Sequence, residues 1–357
     1  MSFAILGMGS AVPPLRYAQE ETAELSARVA GRTEKEALAL HAVFRKTHIE
    51  GRHLVHGRPL FEALRAGDRE TLGAASSGPG TAARMEEYQR EALPLAAAAA
   101  RLALAQSDLT ARSISHLVTV SCTGFAAPGV DIGLIRALEL PATVERTHVG
   151  FMGCHGALNG LRVARAIGDS DPMARVLLCA VELCSIHFHY GWDPSRVTGN
   201  ALFADGAAAL VGAAGKEGWR IRANGACLFP ECEDAMSWKI GDHGFLMHLS
   251  PRVPGLIVAH LRPWLASWLG GHGLSIDDVA SWAVHPGGPR ILASVEEALE
   301  LPVGTCRVSF DVLTRVGNMS SPTVLFILEE LRRANAPRPC VALGFGPGLA
   351  AEAALFD

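Results

Sequence analysis

The sequence predicts an α/β protein made of two similar αβ halves pressed into one body. Strand-like and helix-like segments alternate along the chain, and the second half repeats the grammar of the first. No linker separates the halves; only the composition shifts near Gly215, which sets them at 1–214 and 215–357. The 357 residues, 49% of them hydrophobic, also bury more core than one ordinary domain needs.

In order, residues 3–6 read as a buried strand and 20–29 as a helix. Thr33 opens a capping box with Glu36, starting a helix that runs through Phe44. Residues 52–80, rich in Gly, Arg and Ser, read as surface loop, and 82–105 as one long helix. Strands are expected at 116–121, 176–180 and 207–211. The second of these is continuously apolar, as a strand buried on both faces should be. Between the first two a helix starts near Cys154, with Leu158, Leu161 and Ala164 on one face. In the second half, 221–223 is a strand, 253–269 an amphipathic helix, and 282–284 a short buried strand ending in His285. A helix follows at 323–331, with Pro322 suited to its first turn. Strands at 340–343 and 351–355 close the chain.

The formal net charge of -4 and the lack of a basic block exclude nucleic acid as an expected partner. The apolar run 92–105 is too short to span a bilayer and holds Arg101, so no membrane association is expected. Residues 2–8 carry no basic leader, which points to a cytoplasmic chain. The eight cysteines form no CxxC pair and read as reduced thiols. His187-Phe188-His189, with Cys184 nearby, lacks clear ligand spacing, and no metal is expected there.

Four segments could carry chemistry. In 150–156, GFMGCHG, Cys154 follows a turn and opens a helix, whose N-terminal field favours thiolate. Taken alone, it reads more readily as a small residue packing a helix start. In 282–288, WAVHPGG, His285 is held at a strand end; it is either a satisfied core histidine or a partner for a thiolate or an oxyanion. In 317–322, GNMSSP, Asn318 is either a turn residue or a neutral donor to developing negative charge. Gly344-Phe345-Gly346-Pro347-Gly348 joins two strands, lacks the features of a phosphate loop, and is expected to shape a pocket floor.

Together, in this order, GFMGC, WAVHPGG, GNMSS and GFGPG resemble the type III polyketide synthases of the chalcone synthase family. So do 121–131 (SCTGFAAPGVD), 201–209 (ALFADGAAA) and 253–257 (VPGLI), and the likeness covers nearly the whole chain. The resemblance implies a thiolase fold, two pseudo-symmetric halves in five layers, αβαβα. It implies Cys154 as nucleophile, His285 stabilising its thiolate, and His285 and Asn318 holding an enolate oxygen. An acyl-CoA starter would load Cys154, and malonyl-CoA would extend it by decarboxylative condensation before cyclisation to an alkylpyrone, alkylresorcinol or tetrahydroxynaphthalene. No cofactor is implied beyond these thioesters.

The resemblance places Phe203 and Met247 at the cavity mouth, with Met247 replacing a phenylalanine. Cys122, Cys184 and His187 fall at cavity positions that are threonine in plant members, and Ser320 lies behind the nucleophile. Lys46 would meet coenzyme A at the entrance, with Arg45 and Arg52 as further basic candidates. The family implies a homodimer. Two rivals are a 3-oxoacyl-carrier-protein synthase III, against which GFGPG and Phe203 argue, and a non-catalytic acyl-CoA-binding protein, against which an intact Cys154, His285 and Asn318 argue.

Overall fold

The computed structural model describes residues 2–30, 33–74, 78–193, 196–215 and 217–357. It opens with strands β1 (Ser2–Ala11) and β2 (Arg16–Ala18), then helices α1 (Gln19–Ala30) and α2 (Glu34–Arg45). The expected capping box is formed: the Glu36 N–H donates to Thr33 Oγ1, and the Thr33 N–H donates to the Glu36 carboxylate.

The expected loop at 52–80 is corrected. Strand β3 (Gly51–His53) and helices α3 (Arg58–Ala66) and α4 (Arg69–Ala74) fill most of it, while 75–77 lie outside the described residues. Helix α3 forms because Pro59 suits a first turn and Phe61 is buried against Tyr17, with ring centroids 3.7 Å apart.

Helix α5 (Thr81–Ala105) follows, then β4 (His116–Ser121), α6 (Val130–Leu138), β5 (Glu145–Gly150) and α7 (Gly156–Ser170). Strand β6 (Arg175–Leu183), helix α8 (Val197–Leu202) and β7 (Asp205–Gly215) complete the first half. The second half begins with β8 (Trp219–Leu228) and a hairpin of β9 (Met236–Gly241) and β10 (Gly244–Leu249). Next come α9 (Val253–Gly270), β11 (Ser281–Val284), α10 (Pro289–Leu299), α11 (Arg307–Val316) and α12 (Pro322–Arg333). Strands β12 (Cys340–Gly346) and β13 (Ala350–Phe356) pair antiparallel at the end.

The strands run β11-β12-β13-β8-β1-β7-β6-β4-β5 in one mixed sheet. Its seam is thin: β1 pairs with β7 along its length but with β8 only at Ala4↔Arg220 and Ile5↔Trp219. Three hydrophobic clusters fill the spaces between layers. Helix α5 packs Ala96 and Ala100 with Leu117 of β4 and Leu177 of β6 on one outer face. Helices α7 and α12 share the middle, where Leu158, Leu161 and Leu325 meet Val118 from one half and Ala283 and Ala342 from the other. On the far face, Leu261 of α9 and Leu292 of α10 cover Trp282 and Leu343. The result is the expected αβαβα order. Each fully buried leucine contributes roughly 2 kcal/mol.

Helix α7 lies close on its strands because Gly160 lacks a side chain. A Cβ there would sit 2.9 Å from both Leu178 and Val120. This contact fixes the height of the turn that holds Cys154.

Candidate active site

Cys154 sits in a 3₁₀ turn, Gly153–His155, and α7 begins only at Gly156. The nucleophile candidate therefore precedes the helix rather than forming part of it. Gly153 is required there: its φ is +70°, and a Cβ would lie 2.5 Å from Pro347. Cys154 is buried, and its Sγ accepts a hydrogen bond from Ser320 Oγ at 3.6 Å. Burial pushes its thiol up to about 12; the Ser320 hydroxyl pulls the other way, and the Glu182 carboxyl pushes further up.

His285 follows β11, and its N–H donates to Leu343 O at 2.7 Å. Neither ring nitrogen has a hydrogen-bond partner among the described residues. Burial pushes the imidazole down to about 3, with His155 adding to the effect. Burial thus disfavours a charge on the thiol and on the imidazole, each taken separately.

Asn318 is held by backbone. Its N–H donates to Leu202 O at 3.0 Å, and its carbonyl accepts the Ala204 N–H at 2.8 Å, bridging it to Phe203. Its Oδ1 accepts the Ser320 N–H at 2.8 Å. That bond commits the oxygen and leaves the amide Nδ2 as the donor. Ser320 therefore touches both Asn318 and Cys154.

Beside this cluster lies a cavity of about 60 Å³, walled in part by Cys184, His187, Phe203 and Met247, with Trp238 and Phe245. The His187 Nε2–H donates to Thr123 O at 2.6 Å, and Nδ1 accepts the Phe245 N–H at 2.9 Å. Burial pushes His187 down to about 3, so it is neutral. With both nitrogens committed it has no lone pair for a metal, and no group of three metal-ligating side chains occurs among the described residues.

The remaining candidates divide. Cys122 and Ser320 do not line this cavity: Trp238 Nε1 donates to Cys122 O at 3.0 Å, and the Cys122 sulfur lies 3.6 Å from Ser320 Oγ, which is itself 3.6 Å from Cys154 Sγ. Gly344, Phe345, Gly346 and Pro347 do not line this cavity; β12 continues through Gly346, and Pro347 lies against Gly153, beside Cys154. Phe345 turns into the outer cluster, while the two glycines face His155. Arg52 is buried at 2% exposure and cannot meet coenzyme A at the surface; its Nη1 donates to Asn200 O and Phe203 O at 2.7 and 2.6 Å. Arg45 and Lys46 are exposed at the end of α2. Lys46 adjoins Thr47, which Gln19 ties to Ala201, two residues before Phe203.

Comparison with known proteins identifies the family. The family model of chalcone and stilbene synthases matches residues 2–215 with its N-terminal domain and 221–357 with its C-terminal domain. The chain belongs to the chalcone and stilbene synthase family. It is a type III polyketide synthase. A 1,3,6,8-tetrahydroxynaphthalene synthase of Streptomyces peucetius subsp. caesius is 34% identical over 98% of this chain and 91% of its own length. An alpha-pyrone synthesis polyketide synthase-like protein, Pks18, of Mycobacterium tuberculosis is 35% identical over 77% of this chain and 72% of its own. The crystal structure of PKS-I from the brown alga Ectocarpus siliculosus superposes with a TM-score of 0.93 at 32% identity, covering 99% of this chain and 98% of that one. No described helix is long and apolar enough to cross a membrane.

In this polyketide synthase, sequence reasoning missed Glu182. It is fully buried, and it accepts hydrogen bonds from the Cys122 and Thr123 N–H groups and from the hydroxyls of Ser121, Thr123 and Ser321. A lone Glu inside the apolar strand VLLCAVEL was the available signal. His155, next to Cys154, was also passed over.

Proposed function

We propose that Cys154 is acylated by an acyl-CoA starter and extended by malonyl-CoA, with His285 and Asn318 serving the condensation. The observation that carries this reading is Ser320, which joins the buried Cys154 sulfur to the Asn318 side chain. Attack on the starter thioester moves the thiol proton to His285 and releases coenzyme A. Malonyl-CoA then loses carbon dioxide, leaving an enolate. The Asn318 amide, with its oxygen committed to Ser320, offers Nδ2–H to the enolate oxygen without being able to remove its proton. The enolate carbon attacks the acyl-Cys154 carbonyl and expels the Cys154 thiolate; the lengthened acyl-CoA then reloads Cys154, releasing coenzyme A, and the cycle repeats.

Phe203 and Met247 gate the cavity that receives the growing chain, and exposed Lys46 meets coenzyme A phosphates. The product is an alkylpyrone or alkylresorcinol from an aliphatic starter. A tetrahydroxynaphthalene from malonyl units alone is the second reading, favoured by the relative from Streptomyces. The halves 1–214 and 215–357 each contribute to the site, Cys154 from the first and His285 and Asn318 from the second. The protein works as a cytoplasmic homodimer and needs no cofactor beyond its thioester substrates.

The test is product analysis by mass spectrometry with labelled malonyl-CoA, alone and with a panel of acyl-CoA starters, beside Cys154→Ala. Label in a polyketide that disappears in the variant supports the reading, and the starter required identifies the product class. Condensation that persists in Cys154→Ala removes the nucleophile assignment.

A further inference from the structure

His155 follows the nucleophile directly, is buried at 4% exposure, and leaves its Nε2 without a hydrogen-bond partner among the described residues. Its other nitrogen is fixed by a chain of contacts. Arg162 donates to Glu352 Oε2, and Asn159 Nδ2 donates to Glu352 Oε1 at 3.0 Å. With its amide nitrogen turned to the carboxylate, Asn159 must present Oδ1 to His155 Nδ1, 2.8 Å away. Nδ1 therefore carries the hydrogen, and Nε2 is a bare acceptor.

The sheet register says where that acceptor lies. Ala283 and Ala342 are paired neighbours on β11 and β12, and both face the middle layer. Val284 and Leu343, one step on, face the outer cluster. Gly344 comes next on β12 and faces the middle layer again, with His285, just past the end of β11, tied beside it through its N–H to Leu343 O. A Cβ on Gly344 would lie 3.3 Å from His155 Cβ, and one on Gly346 would lie 2.5 Å from His155 Nε2. The His155 ring thus starts beside Gly344, next to His285, and carries its Nε2 towards Gly346. Of the four ring nitrogens of His155 and His285, three have no hydrogen-bond partner among the described residues.

We propose that His155 is a positioning residue for His285, its bare Nε2 accepting the N–H that His285 must place once it has taken the Cys154 proton. This rests on the acyl-transfer reading above. As Sγ bonds to the thioester carbon, the thiol proton passes to one ring nitrogen of His285. The second ring nitrogen then donates to His155 Nε2, directly or through one water. When the bond to coenzyme A breaks, the departing thiolate takes the proton from His285, and nothing is left over. The charged and titratable groups around His155 are Cys154, His285, Arg162 and Glu352. Its pKa is lowered, mainly by burial, so it remains an acceptor rather than a competing cation.

The test is a double-mutant cycle on the full chain, reading the rate of Cys154 alkylation by iodoacetamide at neutral pH by mass spectrometry. His155→Phe keeps a ring and removes the acceptor. In the native background it is expected to slow alkylation about tenfold, the scale of one hydrogen bond to a charged group. In a His285→Gln background the same change is expected to have less than about a twofold effect. Equal slowing in both backgrounds, or none in the native one, overturns the proposal. Should His155→Phe fail to fold, Asn159→Leu frees the ring from its fixed tautomer and carries the same comparison. Alkylation needs no substrate, so the role of His155 is tested even in a protein that makes no polyketide.

Discussion

Glu182 is a buried carboxyl with hydrogen-bond donors around it, and replacing it by Gln separates its two effects. Its Oε2 accepts four hydrogen bonds, from Cys122 N, Thr123 N, Thr123 Oγ1 and Ser121 Oγ. Its Oε1 accepts from Cys122 N and from Ser321 Oγ at 2.6 Å. A Gln oxygen in the Oε2 place keeps the larger set, and the Ser321 hydroxyl can turn to accept from the new NH2. Losing the charge weakens the remaining bonds but also removes the cost of burying it, so stability should change by less than about 2 kcal/mol. The effect on Cys154 has a definite sign, because the Glu182 charge opposes the thiolate. For two buried charges one or two side chains apart, at an effective dielectric of about 20, Coulomb's law gives on the order of 1–2 kcal/mol. That is roughly five- to thirtyfold in thiolate population at a fixed pH below the pKa. Alkylation of Cys154 by iodoacetamide, followed against pH beside a urea melt, reads both effects. Slower or unchanged alkylation in a folded Glu182→Gln variant would refute the reasoning. Glu182→Ala, by contrast, strands the buried donors and should cost more than about 4 kcal/mol.

Three further outcomes are expected. Burial holds the Asp205 carboxyl up at about 6, against about 4 in an unfolded chain. The folded state therefore binds the extra proton between those values, and this group's contribution is full below pH 4 and lost as pH rises through 6. Urea melts should show wild type losing roughly 3 kcal/mol relative to Asp205→Asn over that interval. Gly346→Ala places a Cβ 2.4 Å from the His155 ring and should cost about 1–3 kcal/mol while slowing Cys154 alkylation. Arg52→Met keeps the stem that packs on Gly317 but frees the Asn200 and Phe203 carbonyls. Two stranded carbonyls should cost roughly 2–4 kcal/mol. Because the Phe203 segment pairs with Asn318, condensation in this variant should fall further than uncoupled decarboxylation of malonyl-CoA, as product analysis would show.

Much of the fold was legible because buried parallel strands and one-sided helices write their pattern in apolar residues. Strand β6 and helix α7 are examples. Where burial is partial the pattern fades. Strand β5, ERTHVG, is an edge strand with mostly exposed residues and no apolar alternation, and it went unseen. The hairpin β9–β10 was missed for a related reason: Trp238, Phe245 and Met247 serve a cavity wall rather than a continuous core face. At the site, Cys154, His285 and Asn318 each sit at a turn whose glycines and prolines mark it in sequence. Arg52 misled because charge suggests surface, whereas its stem packs on Gly317 and its Nη1 donates to two carbonyls. His155 gave no sign because its meaning depends on Asn159, one helical turn away, and on Glu352, far along the chain.

Burial disfavours a charge on Cys154 and a charge on His285 alike. Burial keeps the thiol protonated and therefore slow to react with water-borne electrophiles and oxidants. The same burial would block catalysis if each charge had to form alone. Proton transfer from one to the other creates both charges together, with no net charge brought into the interior. Each then needs its own hydrogen-bond partner within reach. The Ser320 hydroxyl already donates to the sulfur, and it is itself fixed by the turn whose N–H the Asn318 oxygen holds. On the imidazole side the bare Nε2 of His155, locked in its tautomer through Asn159 and Glu352, waits as the acceptor. A site with only one of these partners would leave the other charge uncompensated in a low-dielectric interior. Removing the Ser320 hydroxyl or the His155 acceptor should therefore raise the barrier to acylation by similar amounts. Removing both should cost less than the sum, since each stabilises half of the same ion pair.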